Sequence, residues 1–243
     1  MDTPQRIAKF LSRAGIASRR EVERLVVNGS ITINGRLIND PATKVKINDK
    51  IKVNGDLVVA PDVTRLWRYH KPTGLVTSTV DEQGRKTIFD TLPSHLPRLM
   101  SIGRLDIASE GLLLLTNDGS LKRYLELPSA GFVRKYRVRA KGVHDEESLN
   151  RLRKGLTIDC EKFRPMVISL DKIQRSNVWY NVALTEGRNR EIRRAFGQIN
   201  MIVNRLIRVN FGMFELGLLS KGKIEEIPAN LFLDSWKKKN VSS

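Results

Sequence analysis

A single aspartate stands where its chemical type and its surroundings are suited to catalysis. Asp106 lies in the segment GRLDIASEGLLLLTNDG (residues 103–119), close to a glycine and just before the apolar run 112–115. This pattern predicts a carboxylate on a loop beside a buried strand, and catalytic groups are often placed on such loops. Most loop aspartates instead cap helices or close turns, so the residue alone leaves both interpretations open.

Other kinds of chemistry find little support in the sequence. No second carboxylate pairs with Asp106 at short spacing, which argues against a glycosidase-type acid–base pair. A glycine-rich phosphate-binding fingerprint is missing, so no nucleotide cofactor is indicated. The single cysteine, Cys160, and three histidines offer little for a disulfide framework or a zinc site. We therefore expect no cofactor and no metal, and the lone thiol fits a reducing, cytoplasmic setting.

The charge of the chain points to a polyanionic partner. The 243 residues include 43 Lys and Arg against 26 Asp and Glu, giving a formal net charge of +17. A protein this basic is expected to bind nucleic acid or an anionic membrane. The longest aliphatic run, 112–115, is far shorter than the ~20 apolar residues that span a bilayer, so we expect no membrane partner.

The first 62 residues predict a small helix–helix–hairpin unit. Apolar residues at helical spacing give a first helix that ends at Gly15, and Ser18 followed by Glu21 has the form of a capping box for a second. Asn-Gly turns at 34–35 and 54–55 then predict hairpins. The phrase LSRAGIASRREVERLVVNGSITINGR resembles the alpha-L RNA-binding domain, and it carries a cluster of arginines that we expect to contact phosphates. These arginines are Arg13, Arg19 and Arg20.

Residues 63–235 predict a second, larger domain of the α+β class. Strand-like segments interleave with helical stretches, but a helix does not separate every pair of neighbouring strands, which favours a mixed, mostly antiparallel sheet flanked by helices. The strand-like segments are 66–70, 132–140, 167–170, 178–184 and 205–209, and the helical stretches are 119–125, 145–154 and 190–196. Residues 236–243, with three consecutive lysines, are expected to form a basic flexible tail.

Four segments of this domain carry a family resemblance. GRLDIASEGLLLLTNDG resembles the catalytic motif of ribosomal-RNA pseudouridine synthases of the RsuA/RluB type, and the segments RYHKPTGLV, VRKYRVRAKG and EGRNREIRRAFGQINMIVNRLIRVNFG occur in the family's order. The resemblance implies isomerisation of uridine to pseudouridine in ribosomal RNA, with a lean towards the large-subunit branch. It also implies that the target uridine is flipped out of its stack and that no cofactor is needed. The expected partner is ribosomal RNA or an assembling ribosomal subunit, bound by a monomer.

The same resemblance assigns roles to individual residues. Asp106 would be the catalytic aspartate, Tyr136 would stack on the flipped uracil, and Arg208 would pair with Asp106 to keep it ionised. Arg104 would fill the gap left by the flipped base. Lys71, grouped here with the substrate-binding residues, either supports the active-site architecture or faces solvent beside a Pro-Gly turn.

The segment 186–208 holds an unusual concentration of arginine. Its positive charges predict a clamp on the RNA backbone near the start of a helix, where backbone N–H groups also favour phosphate. The expected clamp residues are Arg188, Arg190, Arg193 and Arg194. The apolar residues of this helix fall at core spacing. A competing hypothesis is a non-catalytic RNA-binding or ribosome-assembly protein that keeps the fold.

Overall fold

The structure is a computed structural model that describes residues 3–228, 232–234 and 236. The chain divides into two compact units, Met1–Thr64 with Asn117–Gly119, and Arg65–Thr116 with Ser120–Ser243. Almost all of the tail predicted at 236–243 lies outside the described residues. Among those that are described, no helix is both long and apolar enough to cross a membrane.

Two helices and short strands build the first unit. The helices are α1 (Ile7–Arg13) and α2 (Arg19–Val27), and the strands are β1 (Gln5–Arg6), β2 (Ile31–Ile33), β3 (Arg36–Leu37), β4 (Lys44–Val45), β5 (Ile51–Val53) and β6 (Asp56–Leu57). Strands β3-β2-β5-β6 form one sheet in that order, and β1 pairs with β4. The apolar faces of both helices meet β2 and β5 in one core, as the helical spacing predicts.

The start of α2 forms half of the predicted capping box. The Ser18 Oγ accepts a hydrogen bond from the Glu21 backbone N–H at 3.2 Å. The Glu21 carboxylate does not return the bond to Ser18; it accepts one from Arg24 instead, at 3.2 Å. One orphan N–H of the helix is therefore capped by a side chain.

The second unit contains the larger sheet. Its strands are β7 (Leu66–Lys71), β8 (Met100–Ile102), β9 (Glu110–Thr116), β10 (Arg134–Lys141), β11 (Leu156–Ile158), β12 (Glu161–Phe163), β13 (Val167–Gln174), β14 (Asn177–Leu184), β15 (Ile202–Phe211), β16 (Phe214–Glu215) and β17 (Ile224–Glu226). Its helices include α3 (Gly119–Glu126), α4 (Glu146–Lys154) and α5 (Glu191–Gly197), with short 3-10 turns at Phe89–Thr91 and Pro128–Ala130.

A nine-stranded sheet forms the centre of this unit, in the order β13-β14-β10-β15-β9-β7-β17, with β16 added to β15 and β8 to β9. Strands β9 and β15 run parallel, and the other neighbours in the sheet are antiparallel. The predicted α+β class with a mixed, mostly antiparallel sheet is confirmed. Strand β10 begins at Arg134, two residues later than the predicted segment 132–140.

Apolar side chains cover both faces of β9, which explains its uninterrupted run of leucines. Leu113 and Leu115 enter the core that also holds α4 and α5. Leu112 and Leu114 enter a second core on the other face, formed with α3. The start of this strand, directly after Asp106 and its loop, is therefore fixed from two sides.

Candidate active site

Asp106 lies on the loop 103–109, which joins β8 to β9. The loop starts at Gly103, whose φ of +67° is a backbone conformation that glycine adopts without strain. The Gly103 N–H donates to the Glu126 Oε1 at 2.7 Å, and Lys122 Nζ holds the same carboxylate oxygen at 2.5 Å. Both partners belong to α3, so this helix fixes the beginning of the loop.

Hydrogen bonds from the motif after β7 hold the middle of the loop. The Thr77 hydroxyl donates to the Leu105 carbonyl at 2.8 Å, and the Gly74 N–H donates to the Ile107 carbonyl at 2.8 Å. The Lys71 ammonium donates to the carbonyls of Asp106 and Ser109, at 3.1 and 3.0 Å. These contacts fix the backbone on which the Asp106 carboxylate is carried.

Two arginines bind the remaining carbonyls of the loop. Arg193 Nη2 on α5 donates to the Ala108 carbonyl at 3.0 Å, and Arg208 Nη1 on β15 lies 3.5 Å from the Arg104 carbonyl. Each carbonyl from 104 to 109 thus accepts a bond from elsewhere in the unit. A loop held this completely needs little reorganisation during a reaction, which is the usual basis of electrostatic preorganisation.

The loop opens into a large cavity. The Asp106 side chain is half-buried and lines a cavity of about 1400 Å³, larger than the roughly 300–1,000 Å³ of a typical small-molecule pocket. Its wall carries more cations than carboxylates, and apolar groups such as Leu206 and Phe211 contribute to it. The cavity-lining cations include Arg85, Arg104, Lys122, Arg134, Arg164, Arg188, Arg190 and Arg208.

Tyr136 lies on the wall of this cavity. It sits in β10, only 9% exposed, paired in register with Arg208 of β15 and Val182 of β14. Its neighbour Arg134 extends over the Phe211 ring at 4.8 Å and donates to the Thr185 carbonyl at 2.9 Å. An aromatic ring and an immobilised guanidinium therefore lie together in the cavity that holds Asp106.

Lys71 is an internal residue, so the solvent-facing alternative is wrong and a direct RNA contact is ruled out by burial. Its side chain is 0% exposed, and Nζ has carbonyl partners at Pro72, Asp106 and Ser109. Burial lowers the pKa of Lys71 to about 8, although the charges of Asp106 and Glu110 oppose the shift. Lys71 positions the loop that carries Asp106.

This burial gives the site a pH dependence. As pH rises through about 8, Lys71 loses a proton, and with it one N–H donor and a positive charge beside Asp106. We expect kcat to fall over that range. The loss of this proton should not weaken the fold. Between pH 8 and 10.5 the unfolded chain, whose lysine has a pKa of 10.5, keeps the proton that the folded protein has lost. Stability does not fall with rising pH where the unfolded state binds more protons. Profiles of kcat and of thermal unfolding against pH test both expectations.

The Lys71→Met variant is the control for that profile. It removes the titrating group and leaves the Pro72 and Ser109 carbonyls without their lysine donor. We expect kcat to drop about 10²-fold through misplacement of Asp106, with no remaining inflection near pH 8. A variant that retains the wild-type inflection would show that another group titrates there.

The predicted Arg208–Asp106 ion pair is not formed. Arg208 is 3% exposed, and its Nε donates to the Leu112 carbonyl at 2.7 Å. Within the described part of the chain no carboxylate lies within 4.0 Å of its guanidinium, and the buried Nη2 has no hydrogen-bond partner. The register explains this, because Arg208 pairs with Gly111 and so lies beside the strand that follows the loop.

Arg193 on α5 is a second cation, besides Lys71, whose charge interacts with that of Asp106. It bridges the Ala108 carbonyl and the Val203 carbonyl, the latter at 2.6 Å. Burial lowers the pKa of the Arg193 guanidinium and nearby Arg190 lowers it further, whereas the charge of Asp106 raises it. Arg193 is therefore a half-buried brace with an electrostatic interaction with Asp106, and its predicted role in a surface clamp is wrong.

Two other residues of the predicted clamp are held in ion pairs with a carboxylate of the protein. Arg188 and Arg194 both bind the Glu161 carboxylate, each at 2.6 Å. Arg190 is exposed and adopts a left-handed φ of +50° just before α5. It lines the cavity, and it is the exposed residue among the four predicted clamp arginines. Glu161, which lies on β12 outside the segment 186–208, accounts for the difference.

The arginine cluster of the first unit divides in the same way. Arg13 Nη2 lies 3.5 Å from the buried Asp118 carboxylate and donates to the Thr64 hydroxyl at 3.2 Å. Arg19 and Arg20, at the start of α2, are exposed. Arg19 and Arg20 are therefore the exposed members of the cluster, whereas Arg13 is held by a buried carboxylate.

No group of three or more His, Cys, Asp and Glu side chains suited to a metal ion occurs in the described ranges 3–228, 232–234 and 236. The cationic residues that face the cavity are suited to anion binding, and the carboxylate of Asp106 and the phenol of Tyr136 are suited to nucleophilic or acid–base catalysis.

Comparison with known proteins assigns this arrangement to a class. Residues 65–198 match the family of RNA pseudouridylate synthases, and residues 5–51 match the S4 domain. The chain belongs to the RNA pseudouridine synthase family, whose members isomerise uridine in RNA. Within that family it is of the RsuA/RluB type, and the predicted combination of an RNA-binding module with a synthase domain is confirmed.

The similarity to named relatives extends over most of the chain. An uncharacterised RNA pseudouridine synthase of Rickettsia felis is 48% identical over 223 residues, covering 92% of this chain and 96% of that protein. Ribosomal large subunit pseudouridine synthase B of Yersinia pestis is 37% identical over 218 residues, covering 87% of this chain and 69% of that protein. A crystal structure of a pseudouridylate synthase shares the fold, with a TM-score of 0.63, 24% identity and coverage of 94% and 98% of the two chains.

Sequence reasoning missed Thr77 and the bracing role of Arg193, which hold the loop. It also missed Arg134, which lines the cavity. A signal for Arg193 existed, because it lies three residues before Phe196 on α5, and residues so spaced share a helix face. Phe196 is fully buried, so an arginine on its face was placed to reach the interior.

Proposed function

We propose that this enzyme converts a specific uridine of large-subunit ribosomal RNA to pseudouridine, with Asp106 as the catalytic carboxylate. The observation that carries the proposal is the Asp106 carboxylate at a basic cavity, on a loop whose carbonyls from 104 to 109 are all bound. The large-subunit target rests on relatives such as the Yersinia pestis enzyme, named for that subunit. We propose a monomer that acts in the cytoplasm.

The reaction breaks the N1–C1′ bond of uridine and forms a C5–C1′ bond. The uracil turns between the two steps, gains a proton at N1 and loses the one at C5, so no atom is added or removed. Its glycosidic bond is accessible only after the nucleotide has left the stack. A cavity of about 1400 Å³ accommodates a flipped nucleotide together with its neighbouring phosphates.

Each proposed participant has a place in this scheme. Asp106 either attacks the substrate or removes the C2′ proton, and both routes need an ionised carboxylate. Tyr136, which lines the same cavity, stacks on the detached uracil and assists removal of the C5 proton. Arg104, which is exposed on the same loop, fills the space left by the flipped base, and Arg190 binds a flanking phosphate.

Tritium release from ribosomal RNA labelled at uridine C5 tests this proposal. We expect release from large-subunit RNA, none from small-subunit RNA, and none from either with Asp106→Ala. Release from small-subunit RNA alone would reassign the target. Release that is equal for the wild type and the variant would exclude Asp106, and release from neither RNA, naked or in assembling particles, would support the binding-only alternative.

We further propose that Arg193 fixes both the position and the electrostatic environment of Asp106. Arg193→Gln removes the positive charge and the bridge between the Ala108 and Val203 carbonyls. We expect kcat to fall about 10²-fold with little change in the Kd for RNA, because the misplacement is at the reacting group. Arg193→Lys should recover part of the loss, since it retains the charge.

A matched arginine controls for general destabilisation. Arg153 on α4 is also half-buried and also donates to a strand carbonyl, that of Ile168 at 3.0 Å, but its partners lie outside the Asp106 loop. Arg153→Gln should leave kcat within a few-fold of the wild type. If the two variants lose activity equally, the role of Arg193 is only structural.

A further inference from the structure

A strongly basic surface lies on the uncovered part of the central sheet. Along β10, Tyr136 and Val138 enter the core with α4 and α5. The side chains that alternate with them point from the opposite face of the sheet. We name this surface the basic sheet face. It consists of Lys135, Arg137, Arg139 and Lys141 on β10, Lys172 on β13 and Arg205 on β15.

One cross-strand row concentrates the charge. Lys172 pairs with Trp179, Trp179 with Arg139, and Arg139 with Arg205, so three cations and an indole lie side by side over four strands. Like charges directly opposite each other destabilise a sheet. The arrangement therefore implies that other groups contact these cations and offset their repulsion.

The Trp179 ring compensates only in part. The guanidinium carbons of Arg137, Arg139 and Arg205 lie 4.9, 5.8 and 5.8 Å from its centroid. These distances allow cation–π attraction, which also holds the guanidiniums in place. The carboxylates that meet these cations are Asp171, bound to Arg137 at 2.8 Å, and Glu110, bound to Arg205 at 2.5 Å. The face keeps a positive excess.

The two ends of the basic sheet face carry cations that are available to a ligand. Lys135 and Lys141 are exposed, and neither ammonium group has a hydrogen bond or ion pair in the described part of the chain. At about 3.4 Å per residue they stand roughly 20 Å apart along β10, a span matched by several nucleotides of RNA backbone. Trp179 is only 7% exposed beneath its guanidiniums, so it offers little surface for base stacking.

We propose that the basic sheet face binds the phosphate backbone of an RNA segment other than the one that enters the cavity. The inference rests on the proposed function for its RNA substrate. Recognition there is independent of sequence, because phosphates are contacted and bases are not. The surface thus adds affinity for a long structured RNA, while the cavity selects the uridine.

The test uses the full-length protein and the Lys135→Glu/Lys141→Glu double variant. The probe is a labelled 20-base-pair RNA duplex, and its Kd is measured between 50 and 200 mM KCl. We expect the double variant to bind the duplex at least about tenfold more weakly than the wild type at the lowest salt. The slope of log K against log salt should be smaller in magnitude by about 2, since two phosphate contacts are lost. Neither substitution removes a packing contact, so folding should be retained.

A second double variant separates local contact from net charge. Arg151→Glu/Lys154→Glu makes the same charge change on exposed positions of α4, which packs on the other face of the sheet. We expect its Kd to stay within about twofold of the wild type. If both double variants lost the same RNA affinity, the effect would come only from long-range attraction between the net charge of the protein and the RNA. That result would overturn the proposal.

Two further outcomes keep the conclusion specific. If the Lys135→Glu/Lys141→Glu variant binds the duplex normally but loses binding to phosphatidylserine vesicles, the face binds an anionic membrane and the RNA proposal fails. All of these measurements are independent of turnover. Absence of tritium release with intact discrimination between the double variants would therefore contradict the isomerase function alone.

Discussion

We expect Asp106→Asn to lower the single-turnover rate of tritium release by at least about 10⁴-fold, the range seen when a principal catalytic group is removed. Asparagine matches the shape of aspartate but carries no charge and serves neither as nucleophile nor as base. The loop should be unchanged, because Lys71 and Thr77 bind backbone carbonyls and not the Asp106 side chain. The loss corresponds to about 5.4 kcal/mol of transition-state stabilisation, at 1.36 kcal/mol per tenfold.

Ser109 provides the control on the same loop. Its hydroxyl is buried and has no hydrogen-bond partner in the described structure, so Ser109→Ala removes a polar group without breaking a bond. We expect that variant to retain activity within a few-fold. RNA affinity should match the wild type in both variants. An Asp106→Asn enzyme that retained a tenth of the wild-type rate would assign the chemistry to another group.

The sequence was sufficient for much of the fold and for the position of Asp106. Strong periodicity predicted α5, whose Ile192, Ala195 and Phe196 are buried. The alternation along β10 and the apolar run of β9 likewise predicted strands. These features are local, since they depend on which face of an element is covered and can be seen within a dozen residues.

The partners of charged groups could not be predicted in the same way. Lys71 looked like part of a turn because Pro72 and Gly74 follow it, yet its carbonyl partners at Asp106 and Ser109 lie more than 30 residues away. Arg208 was assigned to Asp106 by resemblance, but the parallel register of β9 and β15 places it beside Leu112. Such contacts depend on strand order, which composition and spacing do not determine.

A count of charges also failed to distinguish free cations from paired ones. Arg188 and Arg194 belong to the arginine-rich segment 186–208, but both bind Glu161 of β12, a strand some 30 residues upstream. The unpaired positive charge around the cavity consequently comes from fewer arginines than the sequence offers. It includes Arg104 and Arg190 at the cavity, both exposed.

The position of Asp106 finally depends on a glycine in the strand that follows its loop. Gly111 has a φ of +108°, and it is where β9 pairs with Arg208 of β15 on one side and with Lys71 of β7 on the other. A Cβ atom there would lie 2.3 Å from the Arg208 carbonyl oxygen and 2.7 Å from its backbone nitrogen. Neither atom is at the end of a flexible side chain, so the two strands must separate.

We therefore expect Gly111→Ala to lower the free energy of unfolding by about 3–5 kcal/mol, from backbone strain and overpacking together. Activity should fall as well under conditions where the protein stays folded, because the separation displaces Arg208 and Lys71, which hold the Asp106 loop. Urea unfolding followed by circular dichroism, and kcat measured well below the unfolding midpoint, test the two effects.

Gly197→Ala is the matched control. Gly197 ends α5, and an added Cβ there meets nothing within 4 Å, so alanine should stabilise the helix by up to about 1 kcal/mol. The same chemical change is thus expected to have opposite signs at the two positions. If Gly111→Ala were as stable as Gly197→Ala, β9 and β15 would tolerate a wider spacing, and the close pairing could not be what sets the position of Asp106.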